Sequence, residues 1–313
     1  MQAEQKIAVV IPCYNEAAAI AKVVDDFRTQ LVGADIYVFD NNSSDDTAEI
    51  ARKAGAIVRN EPVPGKGNVV RRMFADVEAD IYVLVDGDDT YDAPSVSTMV
   101  NMLLEQGLDM VVGVREEADP KGDAYRAGHS WGNKAFNRIF AACFGNQFTD
   151  IFSGFRVFSR RFVKSFPALS SGFEIETEMS IHAVKLLLPT AEYKTTYYAR
   201  PEGSYSKLNT YQDGLRILWT IFKLFKEVYP FRFFCSIAAL FAAVSLGLGL
   251  PIVGTWIATG LVPRFPTAIL AMGIMLLSAI SLTCGLILDS VARNHLENKR
   301  LKYLTLPAPR GRV

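Results

Sequence analysis

Two stretches of this sequence hold no acidic or basic side chain: residues 233–262 and, after Arg264, residues 265–288. A helix rises about 1.5 Å per residue and a bilayer core is roughly 30 Å thick, so about 20 apolar residues suffice to cross. Both runs are long enough, with slack for tilt or for a kink at Pro251. The competing reading is a buried hairpin in a soluble core, but two such runs at one end exceed ordinary core helices. Net charge is lacking as well, with 33 Lys and Arg against 33 Asp and Glu, and no nucleic-acid partner is expected. The cysteines Cys13, Cys143, Cys235 and Cys284 lack paired spacing, which argues against a disulfide framework or a zinc site. His129, His182 and His295 make no metal-ligand pattern and read as structural or interfacial. No signal peptide is expected, because the apolar stretch 7–11 is short and runs into Tyr14, Asn15 and Glu16. No internal repeat or low-complexity tract is visible.

The charges that are present flank the apolar runs. Arg216, Lys223, Lys226 and Arg232 precede the first, and Arg293, Lys299, Arg300, Lys302, Arg310 and Arg312 follow the second, whereas the intervening loop holds only Arg264. The positive-inside rule then puts both termini in the cytoplasm. Just upstream, Asp213, Arg216, Thr220, Lys223 and Glu227 recur at three- and four-residue spacing, with Leu215, Leu218, Trp219, Phe222 and Phe225 largely opposite. That pattern over 211–229, next to a span, predicts an amphipathic helix lying at the bilayer surface.

The first half alternates strand and helix patterns. Strands are expected at 6–11, 35–39, 56–59 and 81–85, with helices at 17–31, from a Ser43 or Ser44 cap to 54, and at 66–76. Helices at 128–144 and 174–187 and a strand at 192–199 follow. Short strands separated by helices predict an α/β, doubly wound, mostly parallel sheet, whose ligands sit at the carboxyl ends of the strands. Polar clusters follow three of the strands: Tyr14-Asn15-Glu16, Asp40-Asn41-Asn42 and Asp86-Gly87-Asp88-Asp89. One crevice could gather all three.

Asp86 and Asp88, spaced by one small residue after a buried strand, can share a hard cation with a diphosphate, and Mg²⁺ and Mn²⁺ favour such oxygen ligands. Gly87 leaves room for close backbone approach. Asp40 can accept from a base N–H or a ribose hydroxyl, although helix capping by Asn42 or Ser43 explains that cluster equally well. Gly65-Lys66-Gly67 opens a helix, where backbone N–H groups and Lys66 can meet phosphate.

The series 9–16 (VVIPCYNE), 40–45 (DNNSSD), 65–68 (GKGN) and 86–88 (DGD) resembles the family 2 glycosyltransferases of GT-A fold in order and spacing. Residues 150–156 (DIFSGFR), 173–179 (FEIETEM) and 200–208 (RPEGSYSKL) narrow the resemblance to polyprenyl-phosphate glycosyltransferases, such as dolichol-phosphate mannose synthase and its bacterial relatives. The resemblance runs from about Ile7 to Leu208.

It implies a cytoplasmic GT-A catalytic domain over 1–209, an interfacial helix over 210–230, a two-helix anchor over 231–292 and a basic tail over 293–313. Pro12, Tyr14, Glu16, Asp40, Asn42, Lys66, Asp86 and Gly87 would hold the nucleotide sugar, a UDP- or GDP-hexose. Asp86, Asp88 and Asp89 would engage Mg²⁺ or Mn²⁺, and Arg126, Arg138, Arg200, Ser206 and Lys207 would surround the acceptor phosphate. Glu174, Glu176 and Glu178 could orient sugar hydroxyls or act as base, with a solvated helix carboxylate as the equal alternative for Glu178. Many bacterial relatives read Asp-Ala-Asp-Leu-Gln where this chain reads Asp86-Gly87-Asp88-Asp89-Thr90, so sugar and nucleotide identity do not carry over.

The implied reaction is inverting transfer of one hexose to a polyprenyl phosphate at the cytoplasmic face of the inner membrane, in cell-envelope glycan assembly. Transfer to another lipid or a glycan, and an inactive membrane partner of a transferase, are the competing functions. The intact Asp86 and Asp88 speak against inactivity. Homo-oligomerisation is left open.

Overall fold

The computed structural model describes residues 5–117, 129–201 and 210–309. The chain divides into two compact units, Met1–Ile221 with Lys299–Val313, and Phe222–Asn298. The first contains β1 (Ile7–Cys13), α1 (Ile20–Gln30), β2 (Asp35–Asp40), α2 (Thr47–Lys53), β3 (Ile57–Asn60), α3 (Lys66–Asp76) and β4 (Ile81–Leu84). It continues with α4 (Ser95–Glu105), β5 (Met110–Glu117), α5 (His129–Phe144), β6 (Arg156–Ser159), α6 (Arg160–Ser165), α7 (Ile175–Leu186) and β7 (Thr190–Tyr197). α8 (Thr210–Val228) leads into the second unit, built from α9 (Pro230–Thr259) and α10 (Phe265–Leu304).

The strands form one seven-stranded sheet in the order β3-β2-β1-β4-β6-β5-β7. β1 pairs in parallel with β2 and β4, β2 with β3, and β5 with β7, while β6 runs antiparallel between β4 and β5. Every residue of β4 is buried, as expected of a strand covered on both faces. Side-chain alternation divides the covering. Val9, Ile11 and Val83 pack in the cluster that holds Val24 and Phe27 of α1 and Met99 and Leu103 of α4. Tyr82 and Phe158 instead meet Phe74 of α3 edge-on. Burial of each such aromatic side chain contributes about 1.5–3 kcal/mol.

The sheet is mostly parallel, as the alternating pattern predicts, but α4, β5, β6 and α6 were not expected from the sequence. The serine cap also fails. α2 begins at Thr47, while Ser43 Oγ accepts from the Asn15 amide (2.9 Å) and the Ser44 amide donates to Asn15 Oδ1 (2.7 Å), tying the β1 and β2 loops together.

In the second unit, α9 runs through Pro251 as one helix. Its buried positions include Ala238, Ser245 and Ile252, and those of α10 are Ala271, Ser278 and Gly285, in each case seven residues apart. That repeat keeps one stripe of each helix toward the other. Small residues allow the backbones to approach, and Ser245 Oγ donates to the Ala271 carbonyl and Ser278 Oγ to the Ala238 carbonyl, both at 2.7 Å. Both helices are long and apolar enough to cross a membrane, with mean hydropathy 2.2, and only 11% and 17% of their apolar windows are buried. Leu240, Leu250, Trp256, Leu276 and Leu286 point outward, which a hairpin in a soluble core would not tolerate.

The stretch read as a basic tail from 293 is instead helical, continuing α10 to Leu304, and its end joins the first unit. There the Tyr303 hydroxyl donates to Oδ2 of fully buried Asp109 (2.8 Å) and its ring lies 4.8 Å from the Arg161 guanidinium. Arg161 and Ser159 complete the carboxylate's shell, at 2.5 and 2.6 Å to Oδ1. Tyr303→Phe is expected to lower stability by about 1–3 kcal/mol, measured by denaturant unfolding of the detergent-solubilised protein. Unchanged stability would show the contact to be incidental.

Candidate donor and metal site

Three strand ends converge as the motif spacing predicts. A cavity of about 430 Å³ is lined by Pro12, Cys13, Tyr14 and Glu16 after β1, Asn41 and Asn42 after β2, and Asp86, Gly87 and Asp88 after β4. Pro64, Gly65, Lys66 and Val69 at the start of α3, with Phe173 and Arg200, close it. Gly87 sits so near β1 that a Cβ there would come within 2.6 Å of Cys13 Sγ. Gly154, in the loop before β6, lies so close to Asp86 that a Cβ would overlap the carboxylate.

Each of the two carboxylates carries its own cation. Lys66 Nζ lies 2.6 Å from Asp86 Oδ1 and 2.5 Å from Glu176 Oε1, and Arg200 lies 2.6 Å from Asp88 Oδ2. Thr90 Oγ1 donates to the other Asp88 oxygen (2.7 Å). Asp88 is only 4% exposed, and burial, then the Asp86 charge, raise its pKa above the ordinary carboxylate value against Arg200 and Thr90. Burial opposes the charge of Lys66, but Asp86 and Glu176 outweigh it and hold the ammonium above its ordinary pKa. Glu176 is pushed up by burial and drawn back by Lys66.

Several expected residues lie elsewhere. Asp89 adopts a positive φ of 56° and pairs with Lys22 of α1 (2.7 Å), and it is not among the residues lining the cavity. Glu178 accepts from the Leu169 and Ser170 amides at 3.0 and 2.8 Å and does not line the cavity, and being buried it is not a solvated helix carboxylate. The Gly67 amide donates to the Ser171 carbonyl, and Cβ atoms on Gly65 or Gly67 would strike the backbone of Ser170 and Ser171. These glycines therefore serve close packing of that loop, their amides are bonded to Ser171 and Asn41, and Lys66 supplies the triplet's side-chain charge in the cavity. Arg200, expected at the acceptor phosphate, is drawn to Asp88, while Arg138 is exposed on α5 and does not line the cavity. Arg126, Ser206 and Lys207 lie outside the described residues. Asp40 is buried behind the lining. Its Oδ2 accepts from the Ser43 amide, and its Oδ1 has no hydrogen-bond partner among the described residues.

The sequence reading assigned no role to Asn41, Phe173, Arg156 or Tyr91. Asn41 donates to the Glu61 and Val63 carbonyls and accepts from the Gly65 amide, locking the β2 end to the start of α3. The Phe173 ring lies 5.9 Å from Lys66 Nζ. Arg156, fully buried, donates to the Ile151 and Ser153 carbonyls and to Ser180 Oγ, while Tyr91 Oη accepts from the Gly154 amide, so the loop beside Asp86 is fixed. Asn41, Phe173 and Arg156 stood inside recognised motifs. His182, between Phe162 and Phe166 with Ser165 at 3.3 Å, is structural, its pKa lowered to about 3 by burial and then by Lys299.

A mostly parallel sheet whose strand ends gather a paired carboxylate, Asp86 and Asp88, in one cavity is the architecture of a GT-A glycosyltransferase. The sequence signature described as "Glycosyl transferase family 2" matches residues 8–166, and the chain belongs to that family. It is 34% identical over 306 residues to glycosyltransferase AglJ of Haloferax volcanii, covering 97% of this chain and all of that one. It is also 29% identical over 223 residues to a dolichyl-phosphate hexose transferase of the same organism, covering 71% and 94%. Among solved structures it resembles glucosyl-3-phosphoglycerate synthase from Mycobacterium tuberculosis in complex with Mn²⁺, UDP and phosphoglyceric acid. That match has TM-score 0.57 and 24% identity over 71% of this chain and 79% of that one, a likeness of fold.

Proposed function

We propose that the protein transfers a single hexose from a UDP- or GDP-linked donor to a polyprenyl phosphate, with inversion at the anomeric carbon, at the cytoplasmic face of the inner membrane. The observation that carries this reading is the pair Asp86 and Asp88 facing Lys66 and Arg200 in one cavity, in a chain with two helices able to cross a membrane. A relative named as a dolichyl-phosphate hexose transferase supports a lipid-phosphate acceptor, and the synthase structure with Mn²⁺ and UDP supports a nucleotide donor with a divalent ion.

The residues fit Mg²⁺ or Mn²⁺. Asp86 and Asp88 are hard oxygen donors, and among the described residues no three His, Cys, Asp or Glu side chains are placed to hold a metal ion by themselves. That suits a cation which takes its remaining ligands from substrate phosphates and water. Asp86 and Asp88 would hold it, and when bound it would stabilise the departing nucleoside diphosphate. Lys66 and Arg200 add positive charge where the diphosphate lies. The acceptor, a phosphate monoester with a second pKa near 6, is already largely dianionic at neutral pH. It needs positioning more than a base, in keeping with Glu176 and Glu178 being bound to Lys66 and to backbone amides. Arg126, Ser206 and Lys207 would hold that phosphate.

Connectivity supports the orientation. The chain leaves the catalytic unit at Ile221 and rejoins it at Lys299, which supports an even number of crossings by the intervening apolar helices. With the flanking basic residues this supports a cytoplasmic catalytic unit. On α8, Leu215, Leu218, Trp219 and Phe222 are exposed, Trp219 by 66%, which supports an apolar face sunk in the bilayer boundary.

The test is a screen of UDP- and GDP-hexoses with protein in lipid nanodiscs, Mn²⁺ or Mg²⁺, and long- and short-chain prenyl phosphates. A polyprenyl-phosphate hexose of inverted configuration is expected. Product only on another lipid or a glycan would overturn the acceptor assignment. Trp219→Ser with Phe222→Ser is expected to slow turnover of the bilayer-embedded acceptor and to spare the short soluble one. Equal loss on both would place the effect in the catalytic unit.

A further inference from the structure

The oxygens expected to take a divalent cation are already in ion pairs. Lys66 holds Asp86 and Arg200 holds Asp88, each at 2.6 Å. Lys66 is also fixed from behind by Glu176, whose carboxylate is only 3% exposed, so its ammonium cannot simply drift into solvent. Glu16 also lines the cavity, so its carboxylate adds to the negative charge of Asp86, Asp88 and Glu176 around Lys66 and Arg200. A divalent cation arriving alone would have to displace two close ion pairs inside a half-closed cavity. A diphosphate arriving alone would meet the remaining negative charge. Arriving together, they offer each group a new partner of opposite sign: carboxylates to the metal, ammonium and guanidinium to the phosphates.

We propose that Lys66 and Arg200 are resident counter-ions that compete with the divalent cation for Asp86 and Asp88 and exchange onto the diphosphate, so that metal and nucleotide bind cooperatively. Glu176 is the positioning residue for this exchange. It keeps Lys66 in the cavity once Asp86 has been surrendered, with the ammonium still charged and pointed at the phosphates. The inference rests on the donor-site reading above. It adds that a basic side chain weakens the binding of metal alone and strengthens the binding of metal with nucleotide. Coupling between two ligands of this kind usually lies at about 5–150-fold.

Mn²⁺ binding to the full-length protein in detergent, followed by electron paramagnetic resonance with and without UDP or GDP, tests it without turnover. In the wild type one nucleotide should tighten Mn²⁺ binding by about tenfold or more. Arg200→Gln should bind Mn²⁺ alone more tightly than wild type and show a smaller gain on adding nucleotide. Arg200→Lys, which keeps the charge but loses reach, should fall between, and wild-type behaviour there would reduce the effect to long-range field and overturn the exchange. Lys66→Met leaves Glu176 buried without its cation, so it is paired with Glu176→Gln. If that double variant does not fold, Arg200→Gln carries the test. Unchanged or weaker binding of Mn²⁺ alone in the folded variants overturns the proposal. Failure of the donor-site reading looks different: Asp88→Asn would then leave Mn²⁺ binding unaltered, and neither nucleotide would affect it in the wild type.

Discussion

Asp88→Asn is expected to leave the protein folded and to lower hexose transfer by at least about 10²–10³-fold, the scale on which a lost charge-stabilising group acts in a transition state. The substitution is nearly isosteric. The side-chain carbonyl can still accept from Thr90 Oγ1, and Arg200, 28% exposed, retains access to water after losing its partner. Since Asp88 is buried and its charge is opposed by burial and by Asp86, removing that charge need not destabilise the fold. What disappears is a hard anionic oxygen at the strand end. Thermal unfolding, kcat and the response to added Mn²⁺, measured together, check this. Wild-type turnover in a folded Asp88→Asn protein, or undiminished wild-type activity in excess EDTA, would remove the metal from the mechanism.

A comparable loss is expected from a single methyl group at Gly154. Its Cβ would overlap the Asp86 carboxylate, so either the loop or the aspartate must move. The loop has little freedom. Arg156 holds the Ile151 and Ser153 carbonyls, Ser153 Oγ donates to the Gly113 carbonyl at 2.5 Å, and Tyr91 Oη accepts the Gly154 amide. Asp86 therefore yields and is carried away from Lys66. Displacing a reacting constellation by about 1 Å can cost about 10²-fold, and Gly154→Ala should lose that much in kcat while unfolding near the wild-type temperature. Turnover within twofold of wild type would mean that the loop, not the aspartate, gives way.

The parallel half of the sheet was legible because its strands are short apolar runs ending abruptly in polar residues, the residue pattern of buried parallel strands. Helix α3 begins and ends where its periodicity predicts, at Lys66 and Asp76. The antiparallel insertion was not legible. β6 has only four residues and starts with Arg156, a charge that speaks against burial until its carbonyl partners are known. The aspartate pair could be read from Asp86-Gly87-Asp88, but the turn after it could not. The left-handed backbone at Asp89 sends that carboxylate toward α1 and Lys22. Glu176 and Glu178 looked equivalent in sequence. Two residues apart on a helix, they cannot face the same way, and tertiary packing decided which one meets Lys66 and which one the Leu169–Ser170 amides.

The hydrogen bond from Tyr303 to Asp109 also sets an order of events during synthesis. Translation delivers residues from the N-terminus, and a domain closes once its own parts have emerged. Here the last part to emerge lies beyond both apolar helices, so Asp109, Ser159 and Arg161 are made long before the tyrosine that completes their cluster. The two apolar helices are therefore an insertion within the catalytic unit, and they are synthesised before the segment that completes its Asp109 cluster. A chain arrested before Lys299 is therefore expected to hold every strand of the sheet while still lacking the Tyr303 contact to Asp109.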